Sequence, residues 1–359
     1  MEKKIINKNT YDFQKELEQF DRLMSGAGHL LIVVHNNPDP DAIASAAALG
    51  YIAEKRCQIA TSLAYGGTIV REENRAMVKK LKIHLKQIHR IHFEKYDRIA
   101  VVDTQPGAGN HSLPPDVQCH LVIDHHPREK TTRADLVIVQ PEAGATATIL
   151  VEWLQQSNLD IPTALATALA YAISSETQNL GRETSQRDIQ AYLAVYVKSS
   201  IRTLAQITLP KLRHSFFVML ARALQNAVIY RNLILAHLGP VPNPEIVPEM
   251  TDFLLRHQRI GWSLCTGRFR GQLIISLRTS KTGAKAGEFV RKLVSKSHTV
   301  GGHDQIAGGY VPLNNMSRKE LLELQEKLTH EFATLHGYEK AEWQPLLKSK
   351  GLHRKSKLS

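Results

Sequence analysis

A chain of 359 residues is long enough for two domains at roughly 100–200 residues each, and each can bury its own core. With 43% hydrophobic and 22% charged residues, the composition is that of a soluble globular protein and excludes extended disorder. The excess of Lys and Arg gives +12; Glu339–Ser359 carries +4 of this, and the remaining +8 favours a polyanionic partner such as a nucleotide or nucleic acid, with plain solubility as the alternative.

No apolar run reaches the eighteen or so residues of a transmembrane helix, so no membrane partner is expected. The polar start, Met1–Thr10, has no apolar stretch of the secretory kind. Cys57, Cys119 and Cys265 are odd in number and far apart, which argues against a disulfide framework or a thiolate zinc site and suits a reducing cytoplasm.

In chain order, Phe13, Leu17, Phe20 and Met24 recur at helical spacing, with Asn9 or Thr10 as the cap, and Gly26–Gly28 ends that helix. Leu30–Val34 is a short continuous apolar run, the pattern of a buried parallel strand, and the Ala-rich helix Asp41–Lys55 follows it. The pattern recurs at Ile99–Val102, Leu121–Ile123 and Leu136–Val139, the last followed by helices over Gly144–Gln156 and from Asp160–Pro162 through Ser174. Strands alternating with helices predict an α/β domain with a mostly parallel sheet flanked by helices, over 10–195. Residues 196–225 read as a helical connector. A smaller α/β domain with a mixed sheet is expected over 226–336. It comprises a strand at Ala227–Leu238, a helix at Glu245–His257 and a hairpin of Trp262–Arg268 with Gln272–Thr279 around Arg270-Gly271. A helix carrying Ala286, Phe289, Val290, Leu293 and Val294 comes next, then a Gly-rich loop, a strand near Ala307–Val311 and a helix carrying Leu321, Leu324, Leu328, Phe332 and Leu335. Residues 337–359 read as a basic flexible tail.

Three apolar runs end in residues of one chemical kind. Leu30–Val34 ends in His35, Ile99–Val102 in Asp103, and Leu121–Ile123 in Asp124-His125-His126. Parallel strands all end on one sheet edge, where ligands bind, so these residues are predicted to meet, with Asp39 and Asp41 joining from the first loop. Carboxylates packed so closely need cations. An O/N donor set without Cys favours Mn²⁺, with Mg²⁺, Co²⁺ or Zn²⁺ as alternatives. A turn at Pro40 can splay Asp39 and Asp41 so that one serves each of two metals with Asp103 bridging, an arrangement suited to phosphate-ester hydrolysis. Taken singly, each Asp is more often a helix cap; the ordered set on one edge is what favours function. His84, His89, His92 and His111 read as surface residues.

The segments His35-Asn36-Asn37-Pro38-Asp39-Pro40-Asp41-Ala42, Val102-Asp103-Thr104 and Asp124-His125-His126-Pro127 resemble the first three motifs of the DHH phosphoesterases, and Gly301-Gly302-His303 resembles the glycine-histidine motif of the associated DHHA1 domain. The resemblance spans about residues 15–335 and is nearest the nanoRNase and phosphoadenosine-phosphate phosphatase branch, because no exonuclease insertions are visible; the related exonuclease RecJ is usually longer. It implies that His35 and Asp39 hold one metal, that Asp41 and His125 hold the second, and that Asp103 bridges. It also implies that His126 contacts the scissile phosphate or its water while Asp124 orients the histidines. Glu176, in Ile173-Ser174-Ser175-Glu176-Thr177, takes the place of the usual fourth-motif Asp. In the second domain Gly301, Gly302 and His303 would approach a phosphate, and Arg278 could pair with one bidentately.

The expected activity is two-metal hydrolysis of short single-stranded RNA or DNA oligonucleotides, or of small nucleotides such as 3′,5′-bisphosphate or cyclic dinucleotides. Two alternatives compete with it: a non-catalytic nucleotide-binding regulator with a modified site, and a pyrophosphatase or exopolyphosphatase relative. Polarity of attack is not set by the sequence, and a homodimer is left open.

Overall fold

A computed structural model describes residues 11–181, 184–294, 300–302, 304–314 and 316–347. Two compact units divide at Lys211 and Leu212, inside the expected connector.

The first unit runs α1 (Phe13–Met24), β1 (His29–Val34), α2 (Pro40–Cys57), β2 (Ala60–Tyr65), α3 (Glu72–Lys80), β3 (Leu85–Gln87), β4 (Arg98–Val102), β5 (Leu121–Asp124), β6 (Leu136–Val139), α4 (Thr146–Gln156), α5 (Thr163–Glu176), α6 (Gln186–Tyr196) and α7 (Ile201–Thr208). Its six strands lie in the order β3-β2-β1-β4-β5-β6, all parallel. Alternation along the strands splits the core in two. Leu30, Ile32, Val34, Ala100, Val102, Leu121 and Ile123 join the helical side. Leu31, Val33, Ile99, Val101 and Val122 face a second cluster formed with Ile88, Leu113 and Cys119. Near-continuous apolar runs are what a sheet buried on both faces requires.

Asp12 caps α1 through Lys15 N; Asn9 and Thr10, the expected caps, lie outside the described residues. Leu17, Phe20 and Met24 are buried as the spacing predicts, each contributing about 1.5–3 kcal/mol by leaving water. Segment 58–97, given no elements from sequence, supplies β2, α3 and β3. Only Ala64 is buried in β2, which lacks the strong apolar run that marks β1.

The second unit runs α8 (His214–Asn226), β7 (Val228–Tyr230), β8 (Leu233–Pro240), α9 (Ile246–Leu255), β9 (Trp262–Phe269), β10 (Gln272–Thr279), α10 (Ala286–Val294), β11 (Val300–Gly302), β12 (Ile306–Pro312), α11 (Arg318–Thr334) and β13 (Gln344–Pro345). The mixed sheet has the order β11-β12-β10-β9-β8-β7-β13, with β8 and β9 parallel. Arg270 and Gly271 both have positive φ (45° and 75°), as a two-residue hairpin turn requires.

Three expectations are corrected here. The single strand at Ala227–Leu238 is a hairpin, because Arg231 turns the chain with φ 50° and separates β7 from β8. Gly301 and Gly302 belong to strand β11, paired to Gly308 and Ala307, instead of a loop. A Cβ on Gly302 (φ 147°) would fall 2.2 Å from Ile306 O, and one on Gly287 would fall 2.0 Å from Gly302 O, so the glycines let α10 close on β11. The expected tail, 337–359, is in part packed on the second unit: Trp343 stacks on Phe332 and β13 pairs with β7, while 348–359 lie outside the described residues.

Arg278, at the end of β10, is 9% exposed. Its Nε donates to Asp252 Oδ1 (2.8 Å), and its Nη1 donates to the carbonyls of Leu277 (3.0 Å) and Ala307 (3.1 Å). The guanidinium offered to a phosphate by the sequence is therefore engaged inside the domain. Arg278→Ala strips a donor from two carbonyls and is expected to cost about 1–3 kcal/mol of stability. The check is a lower urea midpoint with unchanged slope, followed by the fluorescence of Trp262 and Trp343.

Candidate metal centre

Successive strands leave β1 toward β2 and β3 on one side and toward β4, β5 and β6 on the other, so the carboxyl ends of β1 and β4 flank the point where strand order reverses. Val34 is level with Val102, and Val102 with Ile123. The next residue of each strand is His35, Asp103 and Asp124, so the register alone brings them to one edge.

The first loop is held by its asparagines. Asn36 Oδ1 accepts from Ser112 Oγ (2.7 Å), Asn37 Oδ1 accepts from Thr68 N (2.8 Å), and Asn37 N donates to Gly66 O (3.0 Å). A Cβ on Gly66 would lie 1.8 Å from Asn36 Oδ1, which explains the glycine. Asp39 is both a cap and a candidate ligand: Oδ1 accepts from Ala42 N (3.0 Å) at the start of α2, while Oδ2 stands 3.6 Å from His35 Nε2. Pro40 opens the helix, and Asp41 turns the other way, into the interior. Its two oxygens accept from Thr146 N (2.7 Å) and Ala147 N (2.8 Å), the first amides of α4. A helix N-terminus is a natural seat for a carboxylate.

Asp103 is the centre. It has a left-handed backbone (φ 59°), a conformation Asp tolerates better than most residues. Its Oδ2 is 3.6 Å from His35 Nε2, while its Oδ1 is 3.7 Å from His125 Nε2 and 3.9 Å from His126 Nδ1. Thr146 Oγ1 donates to Oδ1 (2.8 Å). Among the described residues, ligand-type atoms within 4.8 Å of one another form two groups that share Asp103: His35, Asp39 and Asp103, and Asp103, His125 and His126. Asp41 adjoins the second, 4.0 Å from His125 Nε2.

This donor set fits divalent cations. His35 Nδ1 lies 3.0 Å from Asn36 O and His125 Nδ1 3.2 Å from Ala143 O. A carbonyl only accepts, so each Nδ1 carries hydrogen and, in the neutral ring, each Nε2 presents a lone pair to Asp103. His125 Nε2 is buried without a hydrogen-bond partner, the condition of an atom awaiting a ligand. Burial, then the charges of Asp103, Glu176 and Asp39, push the Asp41 carboxyl well above its usual range. Burial opposes the charged form of His35, yet the Asp39 and Asp103 carboxylates hold its pKa well above the ordinary value. Cations would relieve both.

His126 is different. Its Nδ1 is bonded to Asp124 Oδ1 (2.8 Å), and its side chain is 48% exposed. Burial works against its protonation, but Asp124 and Asp103 outweigh it and raise the pKa to about 9. With Nδ1 taken, the free edge of the ring is Nε2, suited to a phosphate. Glu176 ends α5, half-buried; its charge acts on Asp41 and His126, though it lies outside the two tight groups. His303 lies outside the described residues. His84, His89 and His92 are exposed, and His111 is half-buried with Nδ1 accepting from Leu113 N (3.2 Å).

Two contributors escaped the sequence. Thr146 serves Asp103 through its hydroxyl, which also accepts from His125 N (3.2 Å). Gln105, 1% exposed, donates to Asp124 Oδ2 (2.8 Å), and its Oε1 accepts from Glu129 N (2.9 Å) and Thr132 Oγ1 (2.8 Å). Its position two residues after Asp103 was the available signal.

A parallel α/β sheet with clustered Asp and His at the carboxyl edge defines a candidate metal-dependent catalytic domain. Residues 29–173, within the first unit, match the DHH family, N-terminal domain. The chain is 37% identical over 306 residues to the uncharacterized protein MJ1633 of Methanocaldococcus jannaschii, across 84% of this chain and 62% of that protein. It is 26% identical over 164 residues to a probable manganese-dependent inorganic pyrophosphatase of Enterococcus faecalis, across 45% of this chain and 53% of that protein. The chain thus spans between half and two thirds of these curated relatives. The crystal structure of an exopolyphosphatase-related protein from Bacteroides fragilis shares the fold, with TM-score 0.70 over 90% of this chain and 97% of that one at 16% identity. No helix among the described residues is long and apolar enough to cross a membrane.

Proposed function

We propose that the first unit hydrolyses phosphate esters with two divalent ions held about Asp103. The observation that carries this reading is the division of one carboxylate between two imidazoles: Oδ2 toward His35 and Oδ1 toward His125, each at under 4 Å. His35 and Asp39 hold one ion, and Asp41 and His125 the other, with Glu176 completing the second set. Bound ions of this kind activate water and balance the charge that builds on phosphoryl oxygens. The chain's own part is geometric and electrostatic. Asp124 fixes the ring of His126, and Gln105 fixes Asp124. The His126 ring, whose protonated form Asp124 and Asp103 favour, donates to a phosphate oxygen. The amino ends of α2 and α4 add partial positive charge at the same edge.

The substrates in this reading are short single-stranded oligonucleotides or small nucleotides, in keeping with the +8 outside the tail and the resemblance to the nanoRNase branch. In this reading Gly301 and Gly302 of β11, with His303, supply the phosphate-binding part of the second unit. The similarity to a manganese-dependent pyrophosphatase supports a second reading, cleavage of a phosphoanhydride at the same centre. A non-catalytic regulator is opposed by the intact His and Asp set.

One experiment separates these readings. Protein dialysed against chelator and reloaded with Mn²⁺, Mg²⁺, Co²⁺ or Zn²⁺ is assayed on 5′-labelled dinucleotides, 3′-phosphoadenosine-5′-phosphate, cyclic di-AMP and pyrophosphate. Turnover is expected to vanish with chelator and to return best with Mn²⁺. Full turnover in chelator defeats the metal reading; turnover of pyrophosphate alone selects the second.

A further inference from the structure

Asp188, on the first turn of α6, is completely buried. Its carboxylate collects five contacts from two separate segments. Gly144 N donates to both oxygens (2.9 and 3.0 Å) and Thr148 Oγ1 donates to Oδ1 (2.6 Å). Ser185 N (2.7 Å) and Ser185 Oγ (2.6 Å) donate to Oδ2. An ordinary capping box needs only the Ser185 contacts. The reach to Gly144 and Thr148, across 44 and 40 residues, is additional.

What lies between Gly144 and Thr148 explains that reach. Thr146 N and Ala147 N hold the two oxygens of Asp41, and Thr146 Oγ1 donates to Asp103 Oδ1 while accepting from His125 N. Ala143, one residue before Gly144, supplies the carbonyl that fixes the His125 tautomer. Asp188 therefore bolts down both sides of the turn on which Asp41, Asp103 and His125 depend.

We infer that Asp188 is a positioning residue for the metal centre: it touches no ligand atom, but it sets the amino end of α4 against Asp41 and Asp103. This rests on the two-metal reading above. Outer partners of metal ligands commonly govern affinity by ten- to a hundredfold.

The test compares Asp188→Ala, Asp188→Asn and, as a control elsewhere on α4, Leu150→Ala, a buried core change. Calorimetric Mn²⁺ titration of the metal-free proteins is expected to show at least about tenfold weaker binding for Asp188→Ala, with Asn restoring most of the loss because it keeps an acceptor for Gly144 N. Leu150→Ala is expected to lose thermal stability while binding Mn²⁺ like wild type. An unchanged Mn²⁺ affinity in Asp188→Ala, or an equal loss in Leu150→Ala, overturns the inference. If Asp188→Ala does not fold, Thr148→Val is expected to weaken Mn²⁺ binding severalfold, and an unchanged affinity there counts against the inference equally. If wild type itself binds no Mn²⁺, the metal reading fails, and hydrogen exchange at the Thr146 and Ala147 amides decides the positioning role instead. Faster exchange in Asp188→Ala than in Leu150→Ala upholds it, with Thr148→Val taking its place where Asp188→Ala does not fold, and equal rates overturn it.

Discussion

Asp103→Asn is expected to lower kcat/KM by about a thousandfold or more. The substitution keeps the size of the side chain and an acceptor for Thr146 Oγ1, so the fold should survive. What it removes is the one negative charge that faces both His35 and His125. Loosening two ions together withdraws several kcal/mol of charge stabilisation from the transition state, and about 4 kcal/mol corresponds to a thousandfold. Asp39→Asn, by contrast, touches only the first group and keeps its cap on Ala42 N, so it should cost less. The measurement is kcat/KM against Mn²⁺ concentration for both variants. Near-normal turnover by Asp103→Asn at ordinary Mn²⁺ would show that this carboxylate does not bridge.

His126→Ala is expected to cost about a hundred- to a thousandfold in kcat, the usual consequence of losing one charged donor to a phosphoryl oxygen. Mn²⁺ affinity should change little, because His126 Nδ1 is already bonded to Asp124. A large loss of Mn²⁺ binding would make His126 a ligand instead. The metal-free protein offers an independent check through pH. The His126 pKa, about 9 in the fold, is above its ordinary value of 6.5, because Asp124 and Asp103 outweigh the burial that opposes protonation. A group raised in the fold adds stability that is complete below pH 6.5 and is lost as pH rises through 9. The melting temperature of metal-free wild type should therefore fall between pH 6.5 and 9 more steeply than that of His126→Ala. Parallel curves would mean that the imidazolium is not held by its neighbours. Bound cations add positive charge beside the ring and should flatten the difference.

Much of the site was legible because a parallel sheet converts sequence into position. An apolar run that ends in His35, Asp103 or Asp124 places that residue on a common edge whatever the chain does between runs, and the observed register keeps Val34, Val102 and Ile123 level. The turn at Pro40 left room for Asp39 and Asp41 to part, and they do: Asp39 caps α2 at Ala42 N, while Asp41 meets the amides of α4.

What the linear pattern could not carry are contacts whose partners lie far apart and share no period. Asp41 meets the amides of Thr146 and Ala147 across 105 and 106 residues, and Thr146 reaches Asp103 across 43. Gln105 and Asp188 are polar side chains whose burial no hydrophobic pattern announces. In the second unit, Arg278 looks the same in sequence whether it meets a phosphate or the Asp252 carboxylate and two carbonyls; the folded neighbours made that choice. Gly301 and Gly302 read as a loop, yet packing against Gly287 makes them a strand. The sequence by itself determined the sheet edge and the ligands at strand ends, since both follow from local burial and chain direction. Only the tertiary structure decided which long-range hydrogen bonds hold those ligands still, because satisfying a buried polar group depends on what other segments bring to it.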